Sequence, residues 1–332
     1  MATDRGSSRG FWIGVCVSAL IIVGIVATLD LGRVLDELTR VNAFYFIPMV
    51  FCMLLVLYLR ALRWKLLLPV ENKVGTITLL ETLTVGFFAN AVLPLRAGEF
   101  LRAYLAQRWA NVSVATAFAS IVIERVFDVL ALLIFLAIVI PGVPAVPAVF
   151  VLGAKALGVL AGGILFFIVL AYIAAEQMYQ LLNAVASRAL PARFSEPLLL
   201  LAREFIGGLR SIGTFRQLFG AAFLSLAVWL LIGVFYQLAM PLFGVSGGLQ
   251  EGLIISIAIA LAVAAPSGPG FVGTYQAGCM IAIVSILGHT EEFAFAYSIV
   301  THIFQTVLLT VLGLFILNRH GLMFRELLSA RK

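Results

Sequence analysis

Six charged residues interrupt a chain that is 63% hydrophobic and only 11% charged: Arg96, Glu99 and Arg102 in one segment, Glu124, Arg125 and Asp128 in the next. Glu124 and Asp128 are four apart, so on a helix they share a face. Arg96, Glu99 and Arg102 recur at spacings of three, which lets them pair along a helical arm. A charge at mid-bilayer costs roughly 2.5–3.5 kcal/mol on the most lenient scale, so six unpaired ones would cost on the order of 15–20 kcal/mol. A whole domain is stable by only about 5–15 kcal/mol. These residues must therefore pair, line a wet cavity or lie near an interface. Two chemistries fit. One is a polar cavity whose arginines face the phosphate of a lipid head group. The other is an internal salt-bridge network that clamps two segments together. Buried ion pairs are a weak source of stability, which favours the cavity.

A second, neutral constellation lies further on. Pro266, Gly268, Pro269, Gly270 and Gly273 break an apolar run, and Ser267, Thr274, Tyr275 and Gln276 stand among them. The prolines remove backbone donors and the glycines permit tight turns. Non-helical backbone at membrane depth survives only where protein or water satisfies it. Ser267, Tyr275 and Gln276 are candidates to hydrogen-bond a ligand there, with Pro266, Pro269, Gly270 and Gly273 as hinges. Pro94 and Gly98 are the corresponding hinge candidates beside Arg96. His302 and Gln305 are three apart in the last apolar run. An intramembrane histidine carries protons or packs, and packing is the commoner role.

The elements that must position these groups are membrane helices. A soluble domain averages about 25% charged residues. Uncharged stretches at 11–29, 41–59, 129–154, 156–175, 217–250, 252–290 and 293–318 supply apolar runs of the length a helix needs to cross a bilayer. Alternating strands are absent, which argues against a β-barrel. The apolar run after Arg5 and Arg9 is too long for a signal peptide and has no convincing cleavage site, so it is expected to be a first span. Basic residues follow the positive-inside pattern: 15 of the 22 Lys and Arg fall on one side, including both termini. The spacing predicts six full spans, at 11–29, 42–60, 115–140, 149–174, 217–241 and 292–317. Residues 79–112 and 250–288 are then Pro/Gly-broken re-entrant hairpins, one entering from inside and one from outside. Each precedes a span, which is the pattern of an inverted repeat. The expected fold is thus one all-α membrane domain over residues 1–332, in the cytoplasmic membrane, with both termini cytoplasmic. Residues 176–215 read as an amphipathic linker at the cytoplasmic interface.

Several function classes drop out. The net charge of +6 sits in short segments between spans, a topology signal rather than a nucleic-acid surface. Cys16, Cys52 and Cys279 lie in apolar runs without metal spacing. No Asp-x-Asp, Walker loop or His-Glu-x-x-His is present. No metal or cofactor is expected, and an enzyme is the less favoured class.

The segment 86–102 (GFFANAVLPLRAGEFLR), the run Glu124–Asp128 and the stretch 266–276 together resemble the lysylphosphatidylglycerol synthase transmembrane-region family. That family includes the flippase half of the multiple peptide resistance factors. The resemblance runs from about Trp64 to Leu317. It implies a lipid-translocating domain, with Asn90, Arg96, Glu99 and Arg102 at the head-group site and Glu124, Arg125 and Asp128 beside them. Many relatives carry a glutamate just after the second motif, where this chain has Tyr275 and Gln276. No soluble aminoacyl-transferase domain follows, so the chain is not expected to make lysyl-lipid. The leading expectation is a flippase-like transporter of a phosphate-bearing lipid, either a modified phospholipid or a polyprenyl-linked one. Arg96, Arg102 and Arg125 would bind the phosphate, and the carboxylates would orient them. The alternatives are a membrane glycosyltransferase or lipid-transferase with a polyprenyl-linked donor, and a non-transporting partner of a lipid-modifying enzyme. Expected partners are the lipid substrate, membrane lipids, and either a second copy of the chain or such an enzyme.

Overall fold

The computed structural model describes residues 16–68, 74–93, 96–143, 147–189, 191, 195, 196, 199, 200, 203, 214–265 and 267–322. Among these, the chain is helical and no strand occurs. Helix α1 (Cys16–Val26) turns by 91° into the short helix α2 (Leu31–Thr39). Asp30 caps α2 by accepting from the Gly32 and Arg33 amides. Helix α3 (Phe46–Leu67) follows, then α4 (Thr76–Val92), α5 (Ala97–Ala110) and α6 (Val114–Val139). Helices α7 (Ala148–Ile173) and α8 (Ala175–Ala189) lead to the second half. That half comprises α9 (Phe215–Ala239), α10 (Leu249–Val263), α11 (Thr274–Met280, continued by a π-helical turn to Ile286) and α12 (Glu291–Arg319).

By length and composition, four stretches among the described residues can cross a membrane: Ala43–Leu67, Arg216–Phe243, Pro269–Ile286 and Glu291–Arg319. The bent pair α1–α2 would make a fifth. Helix α6 is long enough too, but carries Glu124, Arg125 and Asp128. Large apolar side chains point outward along these helices, among them Phe51, Val159, Phe166, Val307 and Phe315. Water would penalise such a surface, and lipid suits it.

The order long helix, broken hairpin, long helix occurs twice, as α3–α6 and α9–α12. The two copies run in opposite directions. Along α3 and α9, Asn42 N–H donates to Leu242 O at 2.8 Å and Cys52 Sγ lies 3.2 Å from Leu231 O, while Arg63 reaches Ser225. Along α4 and α12, Glu81 pairs with Arg319, and a side chain on Gly313 would strike Phe88. Helices α3 and α9 thus pack antiparallel, as do α4 and α12. One end of the bundle gathers Glu81, Trp109, Arg319 and His320. The other gathers Thr28 with Glu291, and Gln250 with Val139. Hairpin α4–α5 opens at the first end and α10–α11 at the second. At 1.5 Å per residue, the 17 residues of α4 reach about 25 Å, short of the roughly 30 Å hydrocarbon core.

Three boundaries differ from the sequence reading. The second span does not stop at residue 60. Helix α3 runs to Leu67 because the apolar run resumes after Lys65, so Arg60 and Arg63 lie inside a helix rather than in a loop. Residues 31–39, left between the first two predicted spans, form α2, whose apolar and polar residues alternate at helical spacing. The amphipathic reading of 176–215 holds for α8, and most of its remainder falls outside the described residues. Pro94 and Pro266 also fall outside them.

Candidate functional site

Four of the charged residues form a dry, mutually paired group. Arg63, Arg102, Glu124 and Asp128 are all buried. Arg102 meets both oxygens of Glu124, at 2.7 and 3.3 Å. Arg63 donates to Glu124 Oε1 at 2.6 Å, to Asp128 and to Ser225 Oγ. Trp229 Nε1 donates to Asp128 at 3.0 Å. The Arg102 guanidinium lies 3.8 Å from the centre of the Trp64 ring, and Trp64 Nε1 donates to Ser120. Two guanidiniums and two carboxylates so arranged leave no net charge in the interior. The helices fix this geometry. Ser113 caps α6 and sets the phase that turns Glu124 and Asp128 together towards α3.

The hairpin carrying Arg102 is closed by backbone contact. Asn90 Oδ1 accepts from Gly98 N–H at 2.8 Å, across the break between α4 and α5. A Cβ on Gly98 would stand 2.1 Å from Gly86 O and 2.5 Å from Asn90 Oδ1. Glycine is therefore required there for the arms to touch. Asn90 thus serves the hairpin turn itself, with its side chain committed to α5.

Arg125, Glu99 and Arg96 are placed differently. The Arg125 side chain is 36% exposed; it lies 3.2 Å from Glu124, 3.4 Å from Asp128 and 3.9 Å from Glu99. Arg96 is exposed, sits in a left-handed conformation at the tip of the hairpin, and reaches the second hairpin. Its Nη2 donates to Val263 O at 2.6 Å, and its guanidinium lies 5.4 Å from the centre of the Phe271 ring. Gly270 backs directly onto Ala91, where a Cβ would approach Ala91 O to 2.9 Å. Two broken hairpins entering from opposite ends therefore meet at their tips.

The second tip is tied by neutral hydrogen bonds. Gly270 and Gly273 have positive φ, which lets the chain turn twice between α10 and α11. Gln276 Oε1 accepts from Gly273 N–H at 2.7 Å, so its Nε2 faces His302 Nδ1 at 3.1 Å as donor. The other ring nitrogen, Nε2, then donates to Gly270 O at 2.8 Å. Both nitrogens of His302 are thus used within the protein, and Tyr275 stacks on its ring. Tyr275 OH joins Thr301, Tyr236 and Gln305 in one cluster. Ser267 is half-buried beside the tip, and Gly268 N–H donates to Ser18 Oγ of α1.

The sequence reading missed Arg63, Trp64, Ser225, Trp229 and Tyr236. The second span, read as ending at residue 60, left Arg63 outside the helix. The signal was the helical spacing of Arg60 and Arg63 ahead of three further leucines, which continues the helix through them. Among the described residues, no group of three or more His, Cys, Asp or Glu converges as a metal site.

Comparison with known proteins places this geometry. The chain is 24% identical over 287 residues to "Glycosyltransferase AglD" of Haloferax volcanii, covering 77% of this chain and 45% of that one. It is 28% identical over 127 residues to a UPF0104 membrane protein of Methanocaldococcus jannaschii, 37% of this chain and 38% of that one. A UPF0104 membrane protein of Methanothermobacter thermautotrophicus is 30% identical over 118 residues, 33% and 35% of the two chains. The chain thus spans less than half the length of these curated relatives. No solved structure matches. The lysylphosphatidylglycerol synthase TM region family matches residues 11–313, both hairpins and the whole ionic network included, and the chain belongs to that family.

Proposed function

We propose that this protein is a flippase-like transporter that moves a phosphate-bearing lipid between leaflets. The observation that carries the reading is the meeting of the two hairpin tips through Arg96, Val263 and Phe271, beside the part-exposed Arg125 and Glu99. Hairpins that enter from opposite ends and touch give one polar site that either leaflet can approach. Within that site, Arg96 and Arg125 engage the phosphate and Glu99 orients Arg125. Arg102 on Glu124 ties the first hairpin to α6, and Arg63 on Glu124 and Asp128 ties α3 to α6. Alternating access then needs only the contact of Arg96 with Val263 to open and re-form.

The test is lipid movement in proteoliposomes, read by chemical quenching of fluorescent lipids in the outer leaflet. Wild-type protein accelerates the movement of one phosphate-lipid class, and Arg96→Ala abolishes it without loss of folded protein. No acceleration for any head group, with an ion gradient applied, would sink the reading. The resemblance to a named glycosyltransferase over most of this chain favours a second reading: a transferase using a polyprenyl-linked donor. Under it, the tip arginines hold the donor phosphate. Sugar transfer to a lipid or peptide acceptor, with no lipid movement, would mark that outcome.

A further inference from the structure

Arg60 is a largely buried cation that forms no ion pair among the described residues. It is 9% exposed, and among the described residues no carboxylate or hydrogen-bond acceptor engages its guanidinium. Its contact is the face of Phe87, 5.1 Å from the ring centre. The charges that act on it are Asp128, Glu124, Arg63 and Arg125, two of each sign. Those neighbours already neutralise one another, so Arg60 remains uncompensated. A guanidinium held in a membrane-crossing helix without an ion pair is costly unless water or an anion joins it. A cation–π contact of about 0.5–2 kcal/mol does not offset that penalty.

Arg96 is a second cation that forms no ion pair among the described residues; its guanidinium rests on a backbone carbonyl, with Glu99 three residues on in the same arm. Arg125 acts electrostatically on both Arg60 and Arg96. Across the region, five arginines (Arg60, Arg63, Arg96, Arg102, Arg125) face three carboxylates (Glu99, Glu124, Asp128). The surplus is two positive charges. A terminal phosphate monoester carries about −1.5 to −2 at neutral pH, whereas a diester carries one negative charge and an aminoacylated head group adds positive charge.

We infer that Arg60 is an anion-binding residue of the head-group site, and that the site selects a lipid ending in a phosphate monoester or diphosphate over zwitterionic or aminoacylated lipids. This rests on the lipid-transport reading, and binding tests it separately from transport. Full-length protein in micelles is titrated with dioctanoyl phosphatidic acid, dioctanoyl phosphatidylglycerol, dioctanoyl phosphatidylcholine and inorganic phosphate. Trp64 and Trp229 fluorescence and thermal shift report binding. Phosphatidic acid should bind at least about tenfold more tightly than phosphatidylcholine, consistent with charge-assisted hydrogen bonds. Arg60→Met should remove that preference while the lipid-free protein melts at the same temperature or higher, because a desolvated charge is gone. Arg60→Lys keeps the charge and should recover part of the affinity.

Equal binding of phosphatidic acid and phosphatidylcholine would overturn the inference. So would an Arg60→Met protein that unfolds or melts lower, since that marks a structural arginine. Binding of inorganic phosphate as strong as that of phosphatidic acid would assign the site to a free anion and overturn the lipid selection. Binding as expected in a protein that moves no lipid would leave this inference standing and remove the transport reading.

Discussion

Glu124, Arg125 and Asp128 stand as far from Val114, the first residue of α6, as Thr301, His302 and Gln305 stand from Glu291, the first residue of α12. Glu99 in α5 and Gln276 in α11 also hold equal places. The pairs they make match: Glu99 with Arg125 at 3.9 Å, Gln276 with His302 at 3.1 Å. In the first half Arg63 of α3 binds Glu124 and Asp128; in the second Tyr236 of α9 binds Tyr275 and Gln305. The first half thus carries an ionic network and the second a neutral one. Neutral donors and acceptors satisfy one another and stop. Charges leave a field that a ligand can complete. The comparison teaches that the backbone sets where polar groups gather, while residue type at those places sets whether they close on themselves or receive an anion.

Breaking each network at its centre should separate the halves most. Glu124→Ala strips Arg102 of its carboxylate partner and Arg63 of one of its two, and should cost about 3–5 kcal/mol or prevent folding. Thr301→Val, at the matched place, removes one hydroxyl from a cluster in which Tyr275 keeps Tyr236 and Gln305, and should cost about 1 kcal/mol. Equilibrium unfolding in micelles under one denaturant scale measures both. Comparable losses would mean that the two networks do the same structural work, against the contrast drawn above.

The hairpins themselves should respond alike. Gly98→Ala drives a methyl into Gly86 O and Asn90, and Gly278→Ala drives one to within 2.7 Å of Ile259 Cα. Overpacking of this kind costs about 1–3 kcal/mol. Similar losses on the same unfolding scale would sharpen the view of one scaffold used twice. A loss confined to Gly98 would show that the second hairpin is held by its hydrogen bonds instead of by close arm contact.

Much of this was legible in the sequence, for physical reasons that can be named. Apolar runs between charges fix helices in lipid, and Pro94, Gly98 and the stretch from Pro266 to Gly273 mark both hairpins because only broken helices need such residues. The cost of lone charges required the six to pair, line a cavity or lie at an interface, but it did not say that Arg102 would pair with Glu124. Arg63 was not legible, since a basic residue just past an apolar run looks the same whether the helix stops or continues. The split of the six charges into a buried set and a part-exposed set was equally hidden. It depends on which face of α6 meets α3, and spacing along one helix does not report its neighbour. Tyr236 gave no signal at all, because a tyrosine within an apolar helix is ordinary until Tyr275 and Gln305 are seen against it.

The smallest change in stability should come from making the first half resemble the second. Glu99→Gln with Arg125→His copies the Gln276–His302 pair into the matched place. The Glu99 and Arg125 side chains are 20% and 36% exposed and lie 3.9 Å apart, so screening by the surroundings limits the loss to about 1 kcal/mol. Glu124 keeps Arg63 and Arg102, and Asp128 keeps Arg63 and Trp229, so the buried network stays paired. Movement of the phosphate lipid should nonetheless fall about tenfold or more, the worth of a charge-assisted contact. The decisive readout is the divergence between the two measurements. A doubly substituted protein that melts within a few degrees of the wild type yet moves no lipid assigns the anion to the ionic half. Unchanged movement would mean that the neutral tip, with His302 and Gln276, recognises the head group after all.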